Sequence, residues 1–379
     1  MNPRERFLAI AHFRKPDRVP VGGAPRKATL DRWYSEGLPR NIDVGRYFEF
    51  DPSGSISTYP AEGFDWLADT KGAIDLGPVP SFEYRILEEN DRYRLWIDGL
   101  GIKQRGFKHD WETEWSGFAT RQFLEFPVKN REDFVRVRER YKPDVSARYP
   151  GNWDELVRRW RSRDYPLGVS IRGPFWWARD MMGLFQMLRK FHAESELMHE
   201  VVDFCVDFQT KALHKGLDDI DVDFAMISED MAYKSGPMIS PKMAREFLLE
   251  PYRTLALFLR KHGVDTIIVD SDGNCEPLIP LWLESGMNGI SPCEVAAGID
   301  IVAIRRKYPF LVIMGGIDKR KLSADEKTIE QEVLIKVPFM VKTGGYFPSV
   351  DHAVPADVSL ENFKHYLSFT RKICGWQNS

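Results

Sequence analysis

Acidic residues recur in this sequence directly after short apolar runs. Glu229-Asp230 follows 223–228, Asp270-Ser271-Asp272 follows 266–269, and Glu294 follows 288–291. Asp318 comes after 311–314 and Asp351-His352 after 345–347. One acid in such a place is equally well a helix N-cap; the recurrence in register is what carries weight. Carboxylates crowded together repel, which raises some pKa values or recruits a cation. The first outcome gives a protonated acid near neutral pH that can act as a general acid. The second gives an oxygen-donor site for a divalent metal. Of the eight histidines, His352 alone follows such a run. His192, His199 and His214 fall in helical stretches and read as surface or packing residues. Glu229, Asp230, Asp272 and His352 are therefore the expected catalytic groups, and Asp270, Asp272, Glu294 and Asp351 the expected ligands of a divalent metal.

These positions converge only if the apolar runs are parallel strands. From about residue 131, helical stretches alternate with short runs rich in β-branched residues: 166–171, 223–228, 266–269, 288–291, 311–314 and 345–347. Such βαβα alternation implies a parallel sheet whose strands are buried on both faces. Segments near Val19 and over 64–68 bring the number to eight, which closes a barrel. In that architecture the catalytic groups stand at the C-terminal ends of the strands. An open doubly wound sheet is the competitor, but no GxGxxG follows any of the runs.

The expected fold is thus α/β, a (β/α)8 TIM-type barrel with an N-terminal antiparallel hairpin insertion. One domain spans 1–379. Residues 1–13 read as an opening helix broken at Lys15-Pro16-Asp17-Arg18. The hairpin is expected within 82–128, where polar and apolar residues alternate and turns are signalled at Glu89-Asn90-Asp91 and Asp98-Gly99. The loop Arg172–Trp177 places a cation beside three aromatic rings. It reads either as a packed lid or as a platform for a flat ligand, with Arg172 pairing to a ligand carboxylate or to the rim acids.

Composition bounds the rest. The 379 residues are 43% hydrophobic and 29% charged with a net charge of −3, so there is no electrostatic footprint for nucleic acid. The cluster Arg158, Arg159, Arg161 and Arg163 has acids nearby and reads as a solvated helix face. The first twenty residues lack a long apolar stretch, so no secretory signal is expected. No apolar run reaches about 18 residues, so no spanning helix is expected. Four cysteines without CxxC spacing point to free thiols and a reducing compartment, with the cytoplasm as the expected location.

The opening NPRERFLAIAHFRKPDRVPV resembles the start of the uroporphyrinogen decarboxylase family, a helix followed by a PDRxP turn. Gly236-Pro237-Met238-Ile239-Ser240-Pro241, with Phe247 and Pro251-Tyr252, is similar to that family's SP…F…PY segment. Gly315-Gly316-Ile317-Asp318 stands where the family has GNxDP. Val350-Asp351-His352 with Ser359-Leu360-Glu361-Asn362 resembles its closing GH…PLEN motif. The resemblance implies a (β/α)8 barrel and a homodimer, and one of two chemistries. Decarboxylases bind an octa-carboxylate tetrapyrrole through N-terminal arginines, an aspartate and a late histidine, without a cofactor. Methyltransferases act with corrinoid proteins and hold zinc through a His-x-Cys pair and a later Cys.

This chain departs from both. The decarboxylase RQAGRY segment is replaced by Gly22-Gly23-Ala24-Pro25-Arg26-Lys27, which keeps one arginine and a lysine where an octa-anion needs several guanidinium forks. The His-x-Cys position holds Asp270-Ser271-Asp272, a harder donor set than thiolate. Cys275 and Cys293 read as small buried residues.

The leading expectation is a member of the methyltransferase-like branch. It would move a methyl group from a small O- or N-methylated substrate to a corrinoid protein by general-acid or metal-assisted chemistry. Arg26, Arg172, Trp176, Trp177 and Tyr233 are the expected substrate-binding residues. The cofactors in view are a divalent metal and a corrinoid carried by a partner protein. The alternatives are cofactor-free tetrapyrrole decarboxylation, with Arg26, Lys27, Arg172 and His352 on the substrate's carboxylates, and a non-catalytic ligand-binding barrel.

Overall fold

Asn2 starts the first helix, α1 (Pro3–Ala11), by a capping box: its side chain accepts the Glu5 N–H while the Glu5 carboxylate accepts the Asn2 N–H. The structure, a computed structural model, describes residues 1–58, 73–108 and 121–376. After α1 the chain reaches a two-residue strand, β1 (Gly54–Ser55). It then forms β2 (Arg85–Glu89), β3 (Tyr93–Ile97), β4 (Lys103–Phe107) and β5 (Arg121–Glu125).

These four pair antiparallel in sequence order. Residues 82–128 therefore hold a four-stranded antiparallel sheet where a hairpin was expected. The expected turns are present: Asn90 Oδ1 accepts the Arg92 and Tyr93 N–H groups, and Asp98 Oδ1 accepts those of Leu100 and Ile102. The alternation of that stretch marks a sheet with a solvated face, and further strands extend what one hairpin begins.

The remaining strands are β6 (Leu167–Arg172), β7 (Phe224–Ser228), β8 (Thr266–Asp270), β9 (Gly289–Ser291), β10 (Val312–Met314) and β11 (Tyr346–Phe347). They join β1 in one parallel sheet of order β1-β6-β7-β8-β9-β10-β11. Between strands run helices, among them α2 (Pro174–Met182), α3 (Ser195–Asp219) and α4 (Pro241–Lys261). The last helix is α5 (Leu360–Ile373).

All five residues of β8 are buried, because helices cover one side of the sheet and its own concavity the other. Strands approach closely where glycine permits: a Cβ on Gly168 would stand 2.4 Å from the Phe224 ring. The six expected runs match β6–β11 with ends shifted by a residue or so. The expected strand over 64–68 lies outside the described residues. The segment near Val19 lies along β11, with the Gly22 N–H bonded to the Pro348 carbonyl at 2.9 Å. Buried Arg6 fastens this N-terminal region by bonding Asp17 and Asp51. The fold is mixed α/β, and its curled parallel sheet is consistent with a TIM-type barrel. Among the described residues no helix is long and apolar enough to cross a membrane.

Candidate active site

The C-terminal ends of β7, β8 and β9 deliver four carboxylates to one mouth: Asp230, Asp270, Asp272 and Glu294. The Asp272 N–H donates to Asp230 Oδ1 at 3.0 Å, and the next N–H, of Gly273, donates to Glu294 Oε2 at 3.1 Å. The Asp272 side chain thus stands between two fixed acids. Partial burial and then the charges of Asp230 and Glu294 push its carboxyl up to about 7, against the pull of Lys319 and Arg26. Its side chain stays 42% exposed, so the proton is within reach of a ligand in the mouth. Asp270, buried just behind, is also held well above the carboxylate range by burial and by Asp230 and Asp272.

His352 faces Asp272, with Nε2 3.6 Å from Asp272 Oδ2. The Ala353 N–H donates to His352 Nδ1 at 2.7 Å, so a neutral ring carries its proton on Nε2, toward the aspartate. Burial, then Lys319 and Arg26, lower the pKa of His352 and favour that neutral form. Three non-glycine residues at this mouth have positive φ: Asp230 (+41°), Cys293 (+62°) and His352 (+145°). Backbone strain of this kind gathers where side chains are held for function. Glycine is required beside them: Gly273 has φ +76°, and a Cβ there would stand 2.5 Å from the Ala232 carbonyl oxygen.

Lys319 is the functional residue that the sequence reading passed over, although it directly follows Asp318. Its Nζ lies 3.7 Å from Glu294 Oε1 and 3.6 Å from Asp351 Oδ1, and bonds the Asp351 carbonyl at 3.3 Å. Its charge opposes the four acids and depresses both Asp272 and His352. Lys319→Met should therefore raise the pKa of both. The expected result is an upward-shifted His352 ring titration by NMR, with the Asp272-dependent limb of the pH–rate profile moving up alongside it. A His352 titration unchanged by the substitution would remove Lys319 from this charge balance.

Several expected site residues do other work. Glu229 is fully buried; its carboxylate accepts the N–H groups of Phe175 and Trp176 at the start of α2 and the Tyr252 hydroxyl at 2.6 Å. It positions α2 and offers no atom to the mouth. Asp351 is buried too, its two oxygens accepting the Val295 and Lys319 N–H groups at 2.8 and 3.0 Å. It braces two loops, with both oxygens engaged by backbone N–H groups. Trp177 packs in the core against Tyr141 and Phe204, away from the mouth.

Arg172 is buried, pairs with Asp180 at 3.0 Å and lies 4.1 Å from the Trp176 ring centre, with Arg179 at 4.3 Å from the same ring. The aromatic platform is therefore engaged by its own cations. Arg26 is near enough to Asp272 to feel its charge, and burial lowers its pKa. Tyr233 is exposed on a two-stranded turn whose backbone lies against the Asp272 loop, its carbonyl accepting the Asn274 N–H.

The donor set does not fit a thiolate-rich zinc site. Cys275 and Cys293 are buried, the first pushed up to about 12 and the second also well up, so both are neutral thiols. Among the described residues, no three potential ligand atoms of Asp270, Asp272, Glu294 and Asp351 gather within 4.8 Å of one another.

The family model described as Uroporphyrinogen decarboxylase (URO-D) matches residues 124–373 of the 379. No curated protein matches the chain. Among solved structures, a methyltransferase from Methanosarcina mazei is similar, with a TM-score of 0.58 at 13% identity, covering 98% of this chain and 99% of the other. A uronate isomerase from Bacillus halodurans C-125 matches with a TM-score of 0.28 at 12% identity, covering 66% of this chain and 64% of the other, which is too slight for any argument. The first likeness extends through the N-terminal third, where the family model does not reach.

Proposed function

From the premise that the chain belongs to the uroporphyrinogen decarboxylase family, we propose that it works as a methyltransferase of that family. It would move a methyl group from a small O- or N-methylated substrate to a corrinoid protein, with Asp272 as general acid. One observation carries this reading: the mouth gathers four carboxylates with the cations Arg26, Lys319 and Arg179, the last 3.9 Å from Asp230, and the most exposed of the four acids is held at about 7. Arg172, which would have supplied a further guanidinium for a polyanionic tetrapyrrole, is turned to Asp180.

In the proposed step the carbon–heteroatom bond breaks and its electron pair stays on the heteroatom, which takes the proton of Asp272 as the methyl group passes to the corrinoid's nucleophilic centre. Neutral His352 directs its Nε2 proton at Asp272 and steadies the carboxylate left behind. Burial, then Asp230 and Glu294, hold the acid's pKa near neutrality, and Arg26 and Tyr233 would border the donor. The corrinoid is a co-substrate on a partner protein, and no metal-bound step is required of the residues in the mouth.

The test is to incubate the purified protein with methoxy-aromatic and methylamine donors and a reduced corrinoid, following the corrinoid's absorbance. Methylated corrinoid with an equal yield of demethylated donor supports the reading. Coproporphyrinogen formed from uroporphyrinogen, or no methyl transfer from any such donor, would overturn it.

A further inference from the structure

Three metal-ligating side chains meet on the helical shell, away from the carboxylate mouth. His214 and Asp218 are four residues apart near the C-terminal end of α3 and so project from one face of it. His262 closes the C-terminus of α4, which packs beside α3. The Asp218 carboxylate lies between the two imidazoles: Oδ2 is 3.5 Å from His214 Nε2, and Oδ1 is 3.3 Å from His262 Nε2. One ligand atom from each residue falls within 4.8 Å of the others. Donors around a tetrahedral zinc, with bonds of about 2.0–2.2 Å, stand roughly 3.3–3.6 Å apart.

The tautomer of His262 strengthens the case. Its Nδ1 is 2.8 Å from the Phe258 carbonyl oxygen, which only accepts, so Nδ1 carries the hydrogen. A neutral ring then turns a lone pair on Nε2 toward a carboxylate oxygen 3.3 Å away. That approach is attractive only with a cation between the two atoms, either a proton or a metal ion. The ring has little freedom to turn away: its side chain is 6% exposed and packs, tilted at 57°, with its centre 4.5 Å from that of the Phe258 ring. A ring N–H fixed by a backbone carbonyl is how proteins commonly orient a metal-ligating histidine. The carbonyl ends of both helices also lie here and favour positive charge.

We propose that His214, Asp218 and His262 bind a divalent transition-metal ion of the zinc class, which clamps the end of α3 to the end of α4. Two imidazoles and one carboxylate suit Zn²⁺, Ni²⁺ or Cu²⁺ in preference to Mg²⁺ or Ca²⁺. His214 and Asp218 are exposed, so water completes the coordination. The chain leaving α3 enters β7, and the chain leaving α4 enters β8, both at their N-terminal ends. The clamp therefore sits at the end of the sheet opposite the mouth and is independent of the methyl-transfer reading.

The test uses the full chain stripped with chelator and titrated with Zn²⁺ by calorimetry, with Co²⁺ as a spectroscopic probe of coordination. The expected result is one saturable site, a thermal midpoint raised by Zn²⁺, and affinity weakened about tenfold or more in His214→Gln and His262→Gln. His214 is exposed, so its variant carries the test should the buried His262→Gln fail to fold. Asp272→Asn should bind Zn²⁺ as the parent does. No saturable binding, which is what a proton-bridged ion pair alone would give, overturns the proposal. So does unchanged affinity in His214→Gln, or a loss confined to Asp272→Asn.

Discussion

Asp272→Asn should lower the rate of methyl transfer by about 10²- to 10⁴-fold, the usual worth of a positioned general acid, while leaving the protein folded. The fold should tolerate the change because the Asp272 link to Asp230 uses its backbone N–H, which asparagine keeps, and its side chain is 42% exposed. The loss of rate follows from the proton. In the parent protein the Asp272 carboxyl titrates at about 7, so the acid form prevails below that pH and activity should fall as pH rises through it. Asparagine has no such proton, so the residual activity should lack that limb. Because Asp230 is the charge that contributes most to holding Asp272 up, Asp230→Asn should move the limb to lower pH. Steady-state pH–rate profiles of the three proteins check this directly. A limb that persists unchanged in Asp272→Asn belongs to another group, and the assignment of the acid is then wrong.

The sequence carried the carboxylates and the strands because both obey local rules. Runs such as Thr266–Asp270 are apolar throughout because both faces of the strand are covered, and the acid that follows must stand at the rim. Which of those acids meets solvent was not legible. Glu229 and Asp272 look alike in sequence, yet one is sealed under α2 by the backbone of Phe175 and Trp176 and the other opens into the mouth. Tyr252, a residue of α4 distant in the chain, adds to that difference with a hydroxyl that donates to Glu229.

The same holds for the motifs that resembled a family. Ser240 caps α4, and Asn362 ties α5 to the Leu322 and Ala324 carbonyls. Asp318 caps its own loop, and Asp351 braces Val295 against Lys319. These landmarks hold backbone in place, which is why they identify a fold more readily than a substrate. Lys319 escaped notice because a lysine after a capping aspartate is ordinary in sequence, and only the closure of β9, β10 and β11 brings it to Glu294 and Asp351. The antiparallel sheet over 85–125 was half-read, since alternation marks the strands but does not state how many pair.

Glu229→Ala should cost about 3–5 kcal/mol of stability, the cost typical of breaking a buried charged network. It removes the acceptor for two N–H groups at the start of α2, leaves the Tyr252 hydroxyl buried without its partner, and opens a cavity. Glu229→Gln is the sharper experiment. Its carbonyl oxygen still accepts the Trp176 N–H and its amide donates to the Tyr252 hydroxyl, at the loss of the longer Phe175 N–H contact, so the structural loss should be near 1 kcal/mol. What changes is the pH dependence. Burial raises the Glu229 carboxyl to about 7 in the folded protein, above the roughly 4.3 of an unfolded glutamate. The folded state therefore binds more protons than the unfolded state between those values, and stability falls as pH rises through that window. The span corresponds to about 4 kcal/mol for this one group. Asp270 and Asp272, also raised, add slopes of the same sign, so the parent should lose stability steadily between about pH 4 and 7. Glu229→Gln should lose less over the same range, with the curves converging or crossing at the alkaline end. Denaturant midpoints measured across that range decide it. Parallel curves for parent and variant would mean that Glu229 is charged throughout, held so by the α2 N–H groups despite its burial.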